Sequence, residues 1–290
     1  MYEQTLSRGR IKIRLQAIPM GEDLLVALSG GDAPHIGCVT LSVPRPSLLD
    51  GETNRATTSV LNRTGHKDHV AAEYVSDALC ERLGRHVAVA AGIHVEQITA
   101  EEIEIVRELA KALVAHLLQA FLVEVDEADT PIRPVLKMQA HQEARLHRAF
   151  SIFLFDSRGK LLLQKRHAQK YHSGGLWSNT CCGHPAWNEP LLEAASRRLM
   201  EEMGIDTPLQ EVFHFRYCAT FENGLTENEL DHVFIGRYDG PVSFCPEEAE
   251  AVMWADPQTL VQDIRLQPEQ YTYWLRQALP NVLLHMAALK

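Results

Sequence analysis

Residues 177–205 read Trp-Ser-Asn-Thr-Cys-Cys-Gly-His-Pro-Ala-Trp-Asn-Glu-Pro-Leu-Leu-Glu-Ala-Ala-Ser-Arg-Arg-Leu-Met-Glu-Glu-Met-Gly-Ile. This stretch places the thiol of Cys182 close to the imidazole of His184, in a loop just ahead of a predicted helix. The helix spans residues 190–203, because proline suits a first helical turn and the glycine at 204 suits a helix end. Charged residues recur along it at helical spacing. The pattern indicates a reactive loop joined to a charged helix face.

Composition places the chain among globular proteins of two domains. It has 290 residues, of which 46% are hydrophobic and 23% charged, values typical of folded soluble domains. The net charge is −10, which argues against a broad positive surface for nucleic acid. An anionic substrate must therefore be held by a local cluster of cations or by a metal.

The chain carries no pattern of a secreted or membrane protein. Residues 1–9 lack the basic and apolar regions of a signal peptide. No apolar run reaches the roughly eighteen residues that a membrane helix requires. Six cysteines are scattered without the spacing of a disulfide framework. We therefore predict a cytoplasmic protein.

The first 120 residues predict a separate small α/β domain. Strands are expected at residues 11–18, 24–28, 39–43 and 86–91, which are rich in apolar and β-branched residues. A helix is expected over residues 68–83. Thr99-Ala-Glu-Glu102 has the form of a capping box and is followed by apolar residues at helical spacing.

Residues 121–290 predict a second α/β domain with a mixed sheet. Residues 149–155 and 161–165, joined by the turn Asp156-Ser-Arg-Gly159, are typical of a β-hairpin. Further strands are expected at residues 212–220, 231–238 and 252–255. Two amphipathic stretches end the chain.

Several polar motifs of this second part match one enzyme family. They are Lys137-Met-Gln-Ala-His141, Arg145-Leu-His147, Cys182-Gly-His184, Tyr217 and Glu227-Asn-Glu229. With them, residues 121–290 resemble a type I isopentenyl-diphosphate delta-isomerase, a metal-dependent member of the Nudix superfamily. The resemblance implies a Nudix-like mixed sheet flanked by helices. It also implies isomerisation of isopentenyl diphosphate to dimethylallyl diphosphate through a tertiary carbocation.

The helix pattern distinguishes this reaction from hydrolysis. Gly183-x5-Glu189-x7-Arg197-Arg198-Leu-x-Glu201-Glu202-x-Gly204-Ile resembles the Nudix box. Arg198 stands where Nudix hydrolases carry a metal-binding glutamate. A Nudix hydrolase acting on a diphosphate remains an alternative, and a non-catalytic prenyl- or flavin-binding delivery protein is a second.

Metal ligands are implied by the resemblance. Three imidazoles with carboxylates suit Mn²⁺ or Zn²⁺. Mg²⁺ is expected to bridge Glu202 and the substrate diphosphate. Glu227 and Glu229 fall on one face of a strand, because side chains alternate. His141 lies six residues before His147, one fewer than the family pattern. The implied ligands are His141, His147, His184, Glu227 and Glu229.

The reaction requires an acid, an opposing base and shelter from water. The resemblance assigns the acid side to Glu229 with Tyr217, and the facing thiol to Cys182. Trp274 matches a tryptophan that covers the carbocation. Cys181 is interpreted as a buried apolar residue.

Four cations are the candidate anchor of the diphosphate. They are Lys137, Arg166, Lys170 and Arg198, placed by the resemblance around the cysteine loop. For any one of them, a role in surface solubility is the competing interpretation.

Three polar loop motifs mark the first domain. Ser29-Gly-Gly-Asp-Ala-Pro-His-Ile-Gly37, Gly65-His-Lys-Asp-His69 and Gly92-Ile-His94 follow predicted strands, where α/β folds place sites. They resemble a small chaperone-like family that serves prenylated flavin in decarboxylase systems. The resemblance implies a prenylated flavin, a flavin prenyltransferase or a decarboxylase as partner. A domain that only mediates oligomerisation is the alternative. The candidate pocket residues are His35, His66, His69 and His94.

Overall fold

The computed structural model describes residues 1–170 and 172–288. Contacts between Cα atoms divide the chain into two units, Met1–Phe121 and Leu122–Lys290. Each unit combines a β-sheet with helices. The predicted fold class, two α/β parts in succession, is confirmed.

Unit 1 is a six-stranded sheet with two helices. The spatial order is β1-β2-β3-β6-β4-β5, and only β3 and β6 run parallel among neighbouring strands. The parallel pair brings the ends of β3 and β6 to one edge, with Gly31 opposite His94. The elements are β1 Tyr2–Arg8, β2 Ile11–Met20, β3 Asp23–Gly31, β4 Cys38–Pro46, β5 Asn54–Asn62, α1 His69–Leu83, β6 Val87–His94 and α2 Ala100–Gln119.

One face of this sheet packs against the two helices. Ile11, Ile13 and Leu15 alternate as buried residues along β2, and α1 and α2 contact the strands. Helix α2 begins with the predicted capping box, in which the Thr99 side chain accepts a hydrogen bond from the Glu102 backbone N–H. The alternating buried residues of β2 therefore face the helices, and the capping box marks where α2 begins.

Unit 2 contains a nine-stranded mixed sheet. Its main path is β11-β10-β9-β14-β13; β12 and β7 also pair with β9, β8 pairs with β7, and β15 pairs with β10. A 3-10 turn at Pro268–Gln270 precedes the last helix. The elements are β7 Phe121–Val125, β8 Pro131–Leu136, α3 Lys137–Gln142, β9 His147–Phe155, β10 Leu161–Arg166, β11 Trp177–Ser178, β12 Cys181–Gly183, α4 Leu191–Met203, β13 Leu209–Thr220, β14 Thr226–Arg237, β15 Ala249–Ala255, α5 Pro257–Leu266 and α6 Tyr273–Ala288.

The expected hairpin at residues 149–165 is confirmed only next to its turn, where β9 and β10 pair antiparallel. β9 and β10 form strands, but Phe155 and Leu161 are their only paired residues in the described ladder. β12 occupies the next part of that edge of β9, from Phe150 to Ile152. β10 instead pairs along its length with β15. A tight turn therefore joins two strands that diverge, which leaves an edge of β9 free to pair with β12. Cys182, predicted to lie in a loop, lies in this short strand.

Strand β9 supplies both halves of the core of unit 2. Ile152 and Leu154 pack in the cluster that contains Leu199 of α4. Phe153 and Phe155 belong to the opposite cluster, which contains Leu275 of α6. The sheet is thus covered by helices on both faces, as predicted. None of the helices in the described residues is long and apolar enough to cross a membrane.

Candidate active site

Three adjacent strands align the central polar side chains. In the strand register, His147 of β9 lies opposite Glu229 of β14, which lies opposite Tyr217 of β13. The Tyr217 hydroxyl donates a hydrogen bond of 2.5 Å to Glu229 Oε2. Glu229 Oε1 lies 2.7 Å from Nε2 of His184. The hydrogen-bonded ladder of the sheet therefore sets the spacing of His147, Glu229 and Tyr217. His184 contacts Glu229 from the residue that follows β12.

A cluster of five potential metal ligands surrounds Glu229. One ligand atom from each member lies within 4.8 Å of the others. His141 Nε2 is 3.1 Å from Glu227 Oε2, and His147 Nε2 is 3.6 Å from Glu229 Oε1. We call this the donor cluster; its members are His141, His147, His184, Glu227 and Glu229.

The donor cluster has the chemistry of a divalent-metal site. His147 Nδ1 lies 2.9 Å from the carbonyl oxygen of Arg145. A carbonyl only accepts, so Nδ1 carries the proton and Nε2 turns its lone pair toward the cluster. His147 Nε2 and Glu227 Oε2 are buried without a hydrogen bond within the described residues. Two buried atoms of this kind are costly unless a cation binds them. The residues fit a divalent metal ion.

His184 is a neutral ring in this environment. Burial lowers the pKa of His184 to about 4, and the hydrogen bond and charge of Glu229 only partly offset that effect. A neutral imidazole is the form that binds a metal.

Two adjacent cysteines occupy different environments. Cys182, half-buried on β12, has its Sγ 3.7 Å from Nη1 of Arg166. Burial raises the pKa of Cys182 to about 12, although the Arg166 charge acts in the opposite direction. In this environment burial therefore favours the thiol form of Cys182 over the thiolate. Cys181 is fully buried in the core cluster with Leu199, and burial raises its pKa well above the usual range.

The four candidate cations lie near one another. Burial lowers the pKa of Lys137; Glu227 opposes this, while the charges of Lys170, Arg198 and Arg166 lower it further. Such mutual repulsion is typical of an anion-binding site, because a bound anion relieves it.

Glu248 is a counter-ion of this cation cluster that the sequence analysis missed. It accepts a hydrogen bond from Lys170 and one of 3.1 Å from Arg198. Burial raises the pKa of Glu248, but Lys170 and Arg198 outweigh burial and bring the pKa to about 2. The pairing of Glu248 with Lys170 and Arg198 forms only in the folded chain, and no sequence motif predicts it.

Glu202 lies outside the donor cluster. Its carboxylate accepts hydrogen bonds from Gln164 Nε2 at 3.1 Å and from Arg198 Nη2 at 2.5 Å, and only 4% of the residue is exposed. A carboxylate offers about four lone-pair positions, so two remain for other ligands.

Trp274 is held rigidly beside the cations. Its indole N–H lies 3.0 Å from Ser178 Oγ and 3.1 Å from Asn179 Oδ1. The Arg166 guanidinium carbon lies 5.2 Å from the ring centroid. The ring is buried, and these contacts fix its orientation beside Arg166.

His172 and Asp231 are further polar residues that the sequence analysis missed. His172 contacts Glu227 Oε1 and stacks on Phe221 with ring centroids 4.6 Å apart. Its position two residues after Lys170, a candidate diphosphate ligand, could have indicated that it lies in the site. Asp231 Oδ2 accepts a hydrogen bond of 2.7 Å from Ser151. Burial and the charge of Glu229 raise the pKa of Asp231 well above its usual range. Its spacing of two from Glu229 on β14 could have indicated it.

The histidines proposed for a pocket in unit 1 are only partly brought together. His35 Nε2 lies 2.9 Å from His66 Nδ1, and the rings of His35 and His94 have centroids 6.2 Å apart. Among the residues the structure describes, His35 and His66 group with Asp68 as potential ligands, and His69 is not in that group.

Comparisons with known proteins assign both parts of the chain. Residues 145–278 match the family described as "NUDIX domain", and residues 7–122 match the "Prenylated flavin chaperone LpdD-like domain". The "Isopentenyl-diphosphate Delta-isomerase 2" of Aromatoleum aromaticum is 51% identical over 162 residues, which are 56% of this chain and 86% of that protein. The chain belongs to the isopentenyl-diphosphate Delta-isomerase family.

A second isomerase relative agrees with the family assignment. The Serratia proteamaculans "Isopentenyl-diphosphate Delta-isomerase" is 50% identical over 153 residues, covering 53% of this chain and 86% of that protein. A crystal structure from Deinococcus radiodurans is 21% identical with a TM-score of 0.48, and covers 56% of this chain and 98% of that one. Both resemblances stated from the sequence, to the isomerase family and to the prenylated-flavin chaperone family, are confirmed.

Proposed function

We propose that the chain converts isopentenyl diphosphate into dimethylallyl diphosphate. The observation that carries this proposal is the hydrogen-bonded series Tyr217–Glu229–His184 beside Cys182, in which strand register aligns Tyr217 with Glu229. The membership of the isomerase family supports it. Adding a proton to the terminal alkene carbon creates a tertiary cation. Loss of a proton from the neighbouring methylene forms the new double bond.

The proton transfers are assigned to two sides of the substrate. On the acid side, the alkene takes up a proton through the hydrogen-bonded pair Tyr217 and Glu229, in which the Tyr217 hydroxyl donates to Glu229. On the other side, Cys182 as the thiolate accepts the proton lost from the methylene; the charge of Arg166 favours this form, whereas burial favours the thiol. Each general acid or base contributes about 10² to 10⁴ in rate.

Trp274 is proposed to cover the carbocation. A desolvated cation–π contact contributes about 2 kcal/mol, which corresponds to roughly thirtyfold in rate. The indole is already fixed by Ser178 and Asn179, so it requires no reordering when substrate binds. Trp274 therefore assists, whereas Glu229 and Cys182 transfer the protons.

The donor cluster is proposed to hold Mn²⁺ or Zn²⁺, and Glu202 is proposed to bind Mg²⁺ together with the diphosphate. A divalent ion supplies Lewis acidity and neutralises nearby carboxylates when it is bound. The ligands of the first ion are His141, His147, His184, Glu227 and Glu229. Gln164 and Arg198 orient the Glu202 carboxylate through hydrogen bonds.

The diphosphate is proposed to bind among Lys137, Arg166, Lys170 and Arg198. Burial lowers the pKa of Lys137, and the charges of Lys170, Arg198 and Arg166 lower it further because they lie close to it. Glu248 balances two of these charges. An incoming diphosphate competes with Glu248 for Lys170 and Arg198, so anchoring rests on exchange of one anion for another.

Proton NMR of isopentenyl diphosphate with the protein and Mg²⁺ tests the proposed reaction. We expect the terminal alkene signals to fall as two new allylic methyl signals rise, with the diphosphate intact. Release of a phosphate group would instead indicate a hydrolase. An unchanged spectrum with metal-replete, folded protein would reject catalysis.

We propose that residues 1–120 are a prenylated-flavin chaperone-like domain and residues 121–290 the isomerase domain. The family match of residues 7–122 supports the first assignment. Dimethylallyl groups are chemically suited to prenylate a flavin. One chain would then contain both the domain that makes the prenyl unit and the domain that binds the prenylated flavin. The six cysteines are all free, which supports a cytoplasmic location.

Fluorescence titration of the full chain with flavin mononucleotide and its prenylated form tests the role of unit 1. We expect the prenylated form to bind, and His35→Ala to weaken that binding. A lack of binding, with a change in oligomer size on deleting the domain, would support the oligomerisation alternative. A flavin prenyltransferase or a decarboxylase is the proposed protein partner.

A further inference from the structure

Two loops of unit 1 bring three ligand atoms to one point. His35 follows β3, and His66 and Asp68 lie between β5 and α1. His35 Nε2 lies 2.9 Å from His66 Nδ1 and 3.4 Å from Asp68 Oδ2. His66 Nδ1 lies 3.3 Å from the same carboxylate oxygen. The three atoms form a nearly equilateral triangle beside the parallel ends of β3 and β6.

The edges of this triangle match the ligand spacing around a transition metal. Imidazole and carboxylate ligands bind such an ion at about 2.1 Å. Two such ligands are then roughly 3.0 Å apart at a right angle and roughly 3.4 Å apart at the tetrahedral angle. The three measured separations, 2.9, 3.3 and 3.4 Å, fall in or next to this range.

His35 and Asp68 are each oriented by a hydrogen bond to the side-chain atom that points away from the triangle. His35 Nδ1 lies 3.1 Å from the carbonyl oxygen of Ala33. A carbonyl only accepts, so the proton is on Nδ1 and the Nε2 lone pair faces the triangle. Asp68 Oδ1 accepts a hydrogen bond of 2.8 Å from the Ile93 backbone N–H, which leaves Oδ2 directed at the two histidines.

Two glycines make this approach possible. A Cβ at Gly37 would lie 2.0 Å from Asp68 Oδ2 and 2.9 Å from His35 Nε2. A Cβ at Gly92 would lie 1.8 Å from the His35 carbonyl oxygen. A side chain at Gly37 would therefore displace Asp68 and His35, and one at Gly92 of β6 would displace the backbone of His35.

We propose that His35, His66 and Asp68 form a binding site for a divalent transition-metal ion, separate from the isomerase metals. Three protein ligands leave further coordination positions to water or to an exogenous oxygen or nitrogen ligand. The side chains of His35 and His66 are 20% and 27% exposed, so solvent reaches the site. The inference rests on unit 1 alone and stands whether or not unit 2 isomerises its substrate.

Equilibrium dialysis of the full chain against Co²⁺, with the visible spectrum of the bound ion, tests the site. We expect His35→Ala and His66→Ala each to lose one Co²⁺ per chain, and the double variant to lose the same single ion. His147→Ala is expected to remove a different ion, so combining it with His35→Ala removes both. Circular dichroism checks that each variant is folded.

His86→Ala is the matched control. His86 is an exposed histidine of unit 1 that pairs with Asp23, and its loss is expected to leave Co²⁺ content unchanged. The proposal is overturned if His35→Ala and His66→Ala bind as much Co²⁺ as the parent. It is also overturned if His86→Ala loses the same ion, because the binding would then be a general property of surface histidines.

Discussion

At the scale of single residues, the neighbouring thiols offer a sharp test of the chemistry. Cys182→Ala is expected to lower kcat by about 10² or more, because it removes a proton-transfer group. Cys181→Ala is expected to keep most of the activity, since that side chain packs in the core with Leu199. Steady-state kinetics with a thermal melt of each variant provides the measurement. Equal losses of kcat in the two variants would mean that Cys182 has no chemical role.

Glu229 carries the second residue-scale prediction. Glu229→Gln keeps the shape of the side chain and an acceptor for Tyr217, but it removes the negative charge. We expect kcat to fall by about 10² or more even with saturating metal. Glu211→Gln is the matched control, because this β13 carboxylate contacts His232 at the more exposed end of the strand. Full activity of Glu229→Gln with metal bound would contradict the proposed acid.

The sequence predicted the candidate catalytic and metal-binding residues, but not the residues that contact them. Cys182 and the pair Glu227 and Glu229 stand in recognisable motifs. His172 and Glu248 reach the site from segments without such a motif, and their contacts exist only after the chain has folded.

At the scale of elements, the end of α4 gives a test of stability. Gly204 ends the helix with φ +64°, and a Cβ there would lie 2.8 Å from the Ser243 carbonyl oxygen. Gly204→Ala combines left-handed strain, about 1 kcal/mol, with a steric clash. Gly159→Ala is the control, since Gly159 has φ +79° and no atom within 4 Å of its Cβ position. Urea unfolding is expected to show a larger loss for Gly204→Ala; equal losses would exclude the clash.

Elements with strong periodicity or caps were predicted, and edge strands were not. Helix α2 begins with the predicted capping box, and helix α4 ends at the predicted glycine. β1 and β5 were missed, because edge strands of the unit 1 sheet carry many polar residues and lack an apolar alternation. The hairpin is shorter than predicted, because β12, which lies farther along the chain, pairs with β9 in place of β10.

At the scale of the whole molecule, the isomerase part is expected to work alone. All proposed catalytic, metal and diphosphate residues fall between Lys137 and Trp274, and β7 begins at Phe121. A fragment of residues 121–290 is therefore expected to fold and to keep the isomerisation rate of the full chain. Circular dichroism and the NMR assay provide the measurement. A folded fragment without activity would show that unit 1 contributes to the reaction.

The placement of His147, Glu229 and Tyr217 on three neighbouring strands has an evolutionary consequence. β14 is paired on one side with β9 and on the other with β13 throughout this region. Selection for catalysis and selection for the fold therefore act on the same backbone hydrogen bonds. Substitutions that shift the register of these strands would therefore cost the protein its active site and its fold together.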